Sequence, residues 1–375
     1  MRDLASLSRL SVLLGFASLA CVKPEQGPPP AAPGSAASIG NTTAAAPVAA
    51  APAAEPPKST QPPSPLAPWK HGQNPFVGAT YWTDPYGPAV LKSKLWRESA
   101  PADAALMKKI ADNGGADWIG DWTPHVGNWV NKRVNIIQKT GALPLFIAYN
   151  LPKRDCGQHS AGGSQKAEGY KAWITEFAKG IGDRRAAVIV EPDALGLLKK
   201  ENCLSEVDQK ERLELLKFAI HQFAQLGNTA VYLDAGHSGW VKAPEMAERL
   251  KAAGISEADG FSLNVSNYKA TSTEVAYGKE LSALVGGKHF VIDTSRNGMG
   301  PPVEGCKVAD SEACWCNPPG RGLGSPPTAQ TADPLVDAYL WLKKPGESDG
   351  ECNGGPKAGA FWQEKALELA RNAKY

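Results

Sequence analysis

Between residues 143 and 342 the chain repeats one pattern: a short uninterrupted apolar run, a polar or acidic close, then a segment of helical or loop character. Runs that are apolar at every position, rather than at every second one, predict strands buried on both faces, as in a parallel sheet covered by helices. Five runs carry the pattern. Residues 143–148 lead into Tyr149-Asn150 and Arg154-Asp155-Cys156, and 187–190 into Glu191-Pro192-Asp193. Residues 229–233 lead into Asp234-Ala235-Gly236-His237, 289–292 into Asp293-Thr294-Ser295-Arg296, and 338–342 into Lys343 and then Glu347-Ser348-Asp349. Residues 261–263, before Asn264 and Asn267, form a weaker sixth. Between the runs, Tyr170, Trp173, Ile174, Phe177 and Ile181 recur at helical spacing, as do Leu213, Leu216, Ile220 and Phe223, which predicts two amphipathic helices with these residues in the core. Alternating strands and helices imply an α/β fold with a parallel sheet, open or closed into a barrel. In either arrangement the chemistry belongs at the strand C-termini, where these acids lie.

The 375 residues, 42% of them hydrophobic, suffice for one large domain or two ordinary ones. Forty Lys and Arg against 38 Asp and Glu leave a net charge of +2, so charge gives no reason to expect nucleic acid or an anionic membrane as partner. A neutral partner fits better. Eleven Trp outnumber the nine Tyr and nine Phe, and flat apolar faces with one polar N–H suit a crowded core or a surface that stacks on sugar rings. Gly114-Gly115 and Gly286-Gly287 do not follow a strand with the spacing of a phosphate-cradling loop. Cys314-Trp315-Cys316 has no His at ligand spacing, so neither zinc nor any other metal or cofactor is expected.

Arg2 and Arg9 precede the apolar run 10–20 and then Cys21, the order of an export signal too short to span a bilayer. Leu19-Ala20-Cys21 resembles the end of a bacterial lipoprotein signal, so either a lipid anchor at Cys21 or ordinary cleavage is expected. Residues 22–68 hold 13 of the 31 prolines and 13 alanines, and no aromatic residue lies between Phe16 and Trp69. That composition predicts an extended tether rather than a core. The folded domain is therefore expected over 69–375, with 36 basic and 35 acidic residues. Seven Cys in an exported chain leave Cys21 as the odd one and six for three disulfides: Cys156, Cys203, Cys306, Cys314, Cys316 and Cys352.

Acids at strand ends beside several Trp, with no metal or cofactor partner, point to bond cleavage in a neutral polymer by a pair of carboxylates. A cap or a strand-end turn accounts well for Asp103 and Asp293. The same account strains to cover Asp155, Asp193, Asp234 and Asp349 together, each beyond its own strand.

At these residues the sequence resembles glycoside hydrolase family 6, the cellulases that include inverting endoglucanases and cellobiohydrolases. The matches run in order from Asn74-Pro75-Phe76-Val77-Gly78 to the C-terminus: Tyr149-Asn150-Leu151-Pro152 with Arg154-Asp155-Cys156; Val190 to Asp193; Leu233 to His237 with Trp240; Asn264 to Tyr268; Ile292 to Gly298; Trp315-Cys316-Asn317; Leu340 to Lys343; and Pro345 to Gly350. The resemblance implies a distorted (β/α) barrel and an enzyme acting on a β-glucan polysaccharide; with the N-terminal signal, an exported monomer is expected. It implies Asp193 as general acid, Asp155 as the neighbouring charge that raises the pKa of that acid, and Asp349 as base, with relay of the proton through water to Asp155 as the alternative. Tyr149 corresponds to the residue that crowds the sugar at the cleavage point. Trp82, Trp118, Trp240 and Trp315 correspond to sugar-stacking positions, His237, Asn267, Lys343 and Glu347 to hydroxyl-binding ones, and Trp173 and Trp341 look like core.

Asp234 and Arg154 correspond to supporting residues. A water-holding Ser has Ala161 at its expected place and Ser160 one position earlier. The resemblance also pairs Cys156 with Cys203 and Cys316 with Cys352, leaving Cys306 and Cys314 to close a local loop. The segment 350–359 is short where cellobiohydrolases carry a long covering loop, which implies an open cleft and internal cutting. The alternatives are an exo-acting cellobiohydrolase and a surface lipoprotein that binds glucan without cutting it.

Overall fold

The computed structural model describes residues 66–67, 69–302 and 312–375. The export signal, Cys21, nearly all of the expected tether and Cys306 lie outside the described residues. Among the described residues no helix is long and apolar enough to cross a membrane.

Seven parallel strands form one sheet in chain order: β1 (Asp117–Ile119), β2 (Leu145–Ala148), β3 (Ala186–Val190), β4 (Thr229–Asp234), β5 (Gly260–Leu263), β6 (His289–Asp293) and β7 (Val336–Leu340). The helices are α1 (Pro88–Leu95), α2 (Pro101–Ala111), α3 (Val126–Gln138), α4 (Ala167–Ile181), α5 (Glu206–Ala224), α6 (Ala243–Ala252), α7 (Thr271–Leu284), the short α8 (Glu312–Trp315) and α9 (Gln363–Arg371). All six expected strands are present, and β1 is an addition. Its three residues, Asp-Trp-Ile, are too short and too polar to stand out as an apolar run. The last strand covers 336–340 rather than 338–342, so Trp341 and Leu342 belong to the loop that carries Lys343.

Alternation along the strands builds two cores. Phe146, Val188, Val231, Phe261 and Phe290 face the helices and pack with Tyr170, Ile174, Phe177, Leu216 and Phe223. Leu145, Ile147, Ile189, Tyr232 and Val291 fill the concave side with Trp69 and Phe76. Truncating one of the wholly buried rings, such as Phe177, would cost about 3–5 kcal/mol. The same alternation ends β4 and β6 with Asp234 and Asp293 on the concave side, and places Tyr149 just past β2 within that cluster. Trp341 is buried as expected, against α2 and α9, while Trp173 is only partly buried at the edge of the outer core.

Strands β1 and β7 share no ladder, and the sheet is a curled half-barrel. Three bonds nonetheless cross the seam: the main-chain N–H of Ala116 to the carbonyl of Trp341, at 3.1 Å, the Trp118 indole N–H to the carbonyl of Leu342, at 2.9 Å, and the Lys344 ammonium to Asp117, at 3.2 Å. Asp103 is not a cap. It lies in the first turn of α2, whose N-cap is Ala100 followed by a proline.

Candidate active site

The loops after β2, β3 and β4 bring four of the expected residues together. Tyr149 lies with its hydroxyl 3.4 Å from a carboxylate oxygen of Asp193. The chain then turns through Lys153, Asp155 and Cys156, all with φ between 51° and 55°, a conformation that costs non-glycine residues about 1–3 kcal/mol each. Glu191 and Asp193 after β3 are left-handed too, at 50° and 70°. Such a concentration of left-handed backbone marks loops held for function rather than for local preference. The Asp193 conformation is fixed from β4, where Asp234 accepts the N–H of Asp193 at 3.1 Å, that of Gly236 at 2.9 Å and the Ser262 hydroxyl at 3.1 Å.

Arg154 organises the Asp155 loop. Its guanidinium donates to Asp121, to the Tyr149 carbonyl and to the carbonyls of Ser160 and Ala161, and it lies 4.8 Å from the Tyr149 ring and 4.9 Å from that of Trp122. A side chain at position 162 would meet this guanidinium at 2.4 Å, so Gly162, with φ near 144°, is what lets the loop close around it. Ser160 contributes through its main chain, its N–H donating to Asp155 at 2.8 Å.

The electrostatics separate the carboxyls. Burial pushes Asp193 well above the ordinary range, and the charges of Asp234 and then Asp155 push it further. Burial also raises Asp155, in spite of the Ser160 amide, and takes Asp234 to about 6 against three hydrogen bonds. Asp349 goes the other way. Burial would raise it, but Arg296 and Lys343 outweigh that and hold it below the usual carboxylate range. Arg296 reaches both of its oxygens, at 2.8 and 2.9 Å, and the Tyr268 hydroxyl and the Asn317 N–H each donate to it at 3.0 Å. A carboxylate so fully engaged is a poor proton acceptor.

Of the expected binding residues, Trp118 and Lys343 stand beside this group, and the others lie on the loops around the sheet, Trp82 and Glu347 in a cavity that none of the four acids lines. Trp118, on β1, stands edge-on to Tyr149 with centroids 5.1 Å apart, and the Lys343 ammonium lies 5.8 Å from its ring. Lys343 is nearly buried, 3.9 Å from Asp349. Trp82 has the Arg133 guanidinium 3.8 Å from its ring centroid, so one of its two faces is already covered. Trp82 and Glu347 line the same cavity of about 330 Å³ at the seam, with Asp117, Lys344 and Phe361. At β4, Trp240 lies over Gly196 and Gly236, where an added Cβ would approach the indole to 2.8 and 3.2 Å. His237, tilted beside Trp240 at 5.4 Å, is held down to about 3 by burial and by Lys269, so its ring is neutral and can both donate and accept. Asn267 is partly exposed on the β5 loop.

Two disulfides tie these loops. Cys156 pairs with Cys203, and Cys316 with Cys352. The expected partner of Cys314, Cys306, lies outside the described residues. His159 comes close to Cys316 and Cys352, but both sulfurs are already bonded to each other and offer no thiolate to a metal. His159 instead pairs with Glu312, lies 6.0 Å from the Trp315 ring and packs over Gly350, where a Cβ would meet its ring at 2.3 Å. The loop that carries Asp155 is thereby tied to the wall that carries Asp349.

Sequence reasoning did not single out Asp121, Trp122, Arg296, Tyr268 or Glu191. Arg296, Tyr268 and Glu191 lie inside the motifs shared with family 6, and an Arg on a strand-end loop of a carboxylate site is the available signal. Glu191 accepts the N–H groups of Asn150, at 2.9 and 3.0 Å, and Leu151, at 3.2 Å, and burial raises it to about 7 in spite of them.

Comparison with known proteins decides the family. The profile described as Glycosyl hydrolases family 6 matches residues 76–373. The chain belongs to glycosyl hydrolase family 6. It is 43% identical over 284 residues to endoglucanase A of Cellulomonas fimi, an alignment covering 75% of this chain and 59% of that protein. The chain thus spans less than two thirds of that relative. It is 40% identical to endoglucanase 1 of Streptomyces halstedii over 81% of this chain and 92% of that one. Among solved structures, the endoglucanase Cel6 of Mycobacterium tuberculosis, in complex with methyl-cellobiosyl-4-deoxy-4-thio-β-D-cellobioside, matches with 42% identity and a TM-score of 0.74, covering 80% of this chain and 99% of that one. The half-barrel and its crossover helices are therefore those of family 6.

Proposed function

We propose that this family 6 enzyme is an inverting endo-β-1,4-glucanase that cuts internal bonds of cellulose or a related β-glucan. The observation that carries the reading is the opposite electrostatics of Asp193 and Asp349. Asp193 keeps its proton near neutral pH because burial and the charges of Asp234 and Asp155 all disfavour its anion. It is therefore the group able to protonate the departing glycosidic oxygen. Asp349, held ionised by Arg296, supplies negative charge to the positive sugar ring of the transition state. Water attacks the opposite face of the ring, and Asp155, with its raised pKa, takes the proton of that water more readily than Asp349 does. Tyr149, beside Asp193, crowds the sugar that reacts. Trp82, Trp118, Trp240 and Trp315 stack on flanking sugars, and His237, Asn267, Lys343 and Glu347 take their hydroxyls.

Internal cutting is favoured by the short path after Asp349. Glu347 bridges to Phe361 and α9 begins at Gln363, which leaves little chain to cover the groove. The names of the Cellulomonas and Streptomyces relatives agree with this reading. The exo-acting alternative draws on the His159–Glu312 contact, which ties the loop of Asp155 to the segment of Trp315. In this reading residues 1–21 direct export, with lipid attachment at Cys21 or simple cleavage, 22–68 tether the domain, and 69–375 act as a monomer. The test is hydrolysis of soluble carboxymethylcellulose: viscosity should collapse while few reducing ends have formed, and NMR of the first product should show the α-anomer. Early β-product, or cellobiose released in step with the viscosity loss, would reject it.

A further inference from the structure

Asp293 reads in the sequence as an ordinary strand-end turn, and one of its bonds fits that description: it accepts the N–H of Ser295, two residues on, at 2.9 Å. Its other bonds do not. The same oxygen accepts the N–H of Leu342 at 3.3 Å, and the second oxygen accepts those of Ser266 and Lys343, both at 3.0 Å. This carboxylate is 1% exposed and gathers main-chain N–H groups from the loops after β5, β6 and β7.

We propose that Asp293 is a positioning residue for the reaction: by holding these three loops together it sets the residues that grip Asp349. The inference rests on the proposed role of Asp349 beside the substrate. Three of the four groups that grip Asp349 lie within two residues of an amide that Asp293 holds, the Asn317 N–H being the exception. Tyr268, two residues after Ser266, donates to Asp349 at 3.0 Å. Arg296, one after Ser295, donates to both oxygens of Asp349 and lies 4.5 Å from the Tyr268 ring. Lys343 is held through its own amide, with its ammonium 3.9 Å from Asp349. Asn267, an expected sugar ligand, sits between Ser266 and Tyr268. Ser266 also has φ near 57°, a conformation that a free loop would leave.

Only an ionised carboxylate can serve four donors, because it accepts at both oxygens and donates from neither. An Asn side chain of the same shape would turn an NH₂ toward two of the four amides. Asp293→Asn therefore breaks the arrangement with little change of volume.

The experiment compares the full-length wild type with Asp293→Asn by hydrogen exchange and mass spectrometry on peptides containing Ser266 and Lys343, and by the pH profile of kcat/KM on cellopentaose. Faster exchange at both segments is expected, although each is far from position 293 in sequence. KM should rise about tenfold as Lys343 and Asn267 loosen, the scale of one lost hydrogen bond to a charged group. The acidic limb, set in the wild type by the raised Asp155, should become steeper, because a less well-gripped Asp349 takes up a proton nearer the pH at which Asp155 does and two groups must then be ionised. A local turn-former would lower the melting temperature and leave exchange at Ser266 and Lys343, KM and the acidic limb unchanged, and that result overturns the proposal.

If the variant does not fold, native-state exchange of the wild type decides. The amides of Ser266 and Lys343 must be among the slowest in their loops, and exchange at ordinary loop rates overturns the proposal. Full activity of Asp349→Asn would remove the proposed role of Asp349, yet the exchange result would still report whether Asp293 holds the loops.

Discussion

Asp234 accepts the main-chain N–H of Asp193 at 3.1 Å, and its charge also raises the pKa of Asp193 more than that of Asp155 does. One side chain thus fixes the backbone of the proposed acid and raises its pKa. Asp234→Asn keeps an oxygen for the amide and removes the charge. The alkaline limb of kcat/KM should then move down by on the order of one pH unit, and further than in Asp155→Asn. A pH profile of both variants on the same soluble glucan checks this; an unmoved limb in Asp234→Asn would leave that residue with only its loop-holding role.

Asp193→Ala should lose several orders of magnitude in kcat on unactivated glucan, and much less on an aryl cellobioside whose leaving group departs without a proton. Steady-state rates on the two substrates give the comparison. An equal loss on both would mean that Asp193 shapes the site without donating a proton.

Breaking the grip on Asp349 from its cationic side has a predictable cost. Arg296 is 2% exposed at its side chain, and Arg296→Met leaves the Asp349 carboxylate buried with its main counter-charge gone. Removing one partner of a buried pair typically costs about 3–5 kcal/mol, which urea denaturation would register. Activity should fall with it, most steeply at low pH, because the Asp349 pKa rises once Arg296 is absent.

Glu191 offers a test of the buried charge by stability alone. Its pKa is raised from about 4.5 unfolded to about 7 folded, with burial as the main cause. Between those values the folded state binds more protons than the unfolded one, so stability from this group is present in full below pH 4.5 and lost as pH rises through 7. The stability of the wild type relative to Glu191→Gln should decline by about 3 kcal/mol over that interval. Denaturation of both proteins at pH 4.5 and 7.5 checks the sign; a difference that grows with pH would mean Glu191 is stabilised as the anion.

What the sequence disclosed and what it hid follow from the range of the interactions. Strands β2 to β7 announce themselves because burial on both faces demands continuous apolar runs, and Asp155, Asp193, Asp234 and Asp349 stand out because each follows such a run. The environment that divides their roles was not legible. Asp193 and Asp349 are the same residue type after similar strands, and only the approach of Arg296 and Tyr268 from loops more than 50 residues away favours the anion of one, while burial beside Asp234 raises the pKa of the other. Asp293 was hidden for the same reason. Its near partner, Ser295, looks like a turn, and its far partners are main-chain amides, which carry no residue-type signal at all.

The contact between His159 and Glu312 gives a final prediction about how long chains enter. His159 lies on the loop that carries Asp155, and it reaches Glu312, the Trp315 ring and the backbone of Gly350, next to Asp349. While it holds, the Asp155 loop is joined to the wall that carries Asp349, and the prediction is that an internal stretch of polymer needs that join to part before it can settle. A short substrate can enter end-on. His159→Ala removes the link and leaves in place the Ser160 amide on Asp155 and the Arg154 bonds that shape the rest of the loop. The variant should therefore hydrolyse an aryl cellobioside at the wild-type rate and lower the viscosity of carboxymethylcellulose several times faster per reducing end formed. The contact is partly exposed and contributes at most about 1 kcal/mol, so the melting temperature should change by only a few degrees. If the variant instead lost activity on both substrates alike, the contact would serve to hold Asp155 in place for the reaction, and entry of the chain would be governed elsewhere.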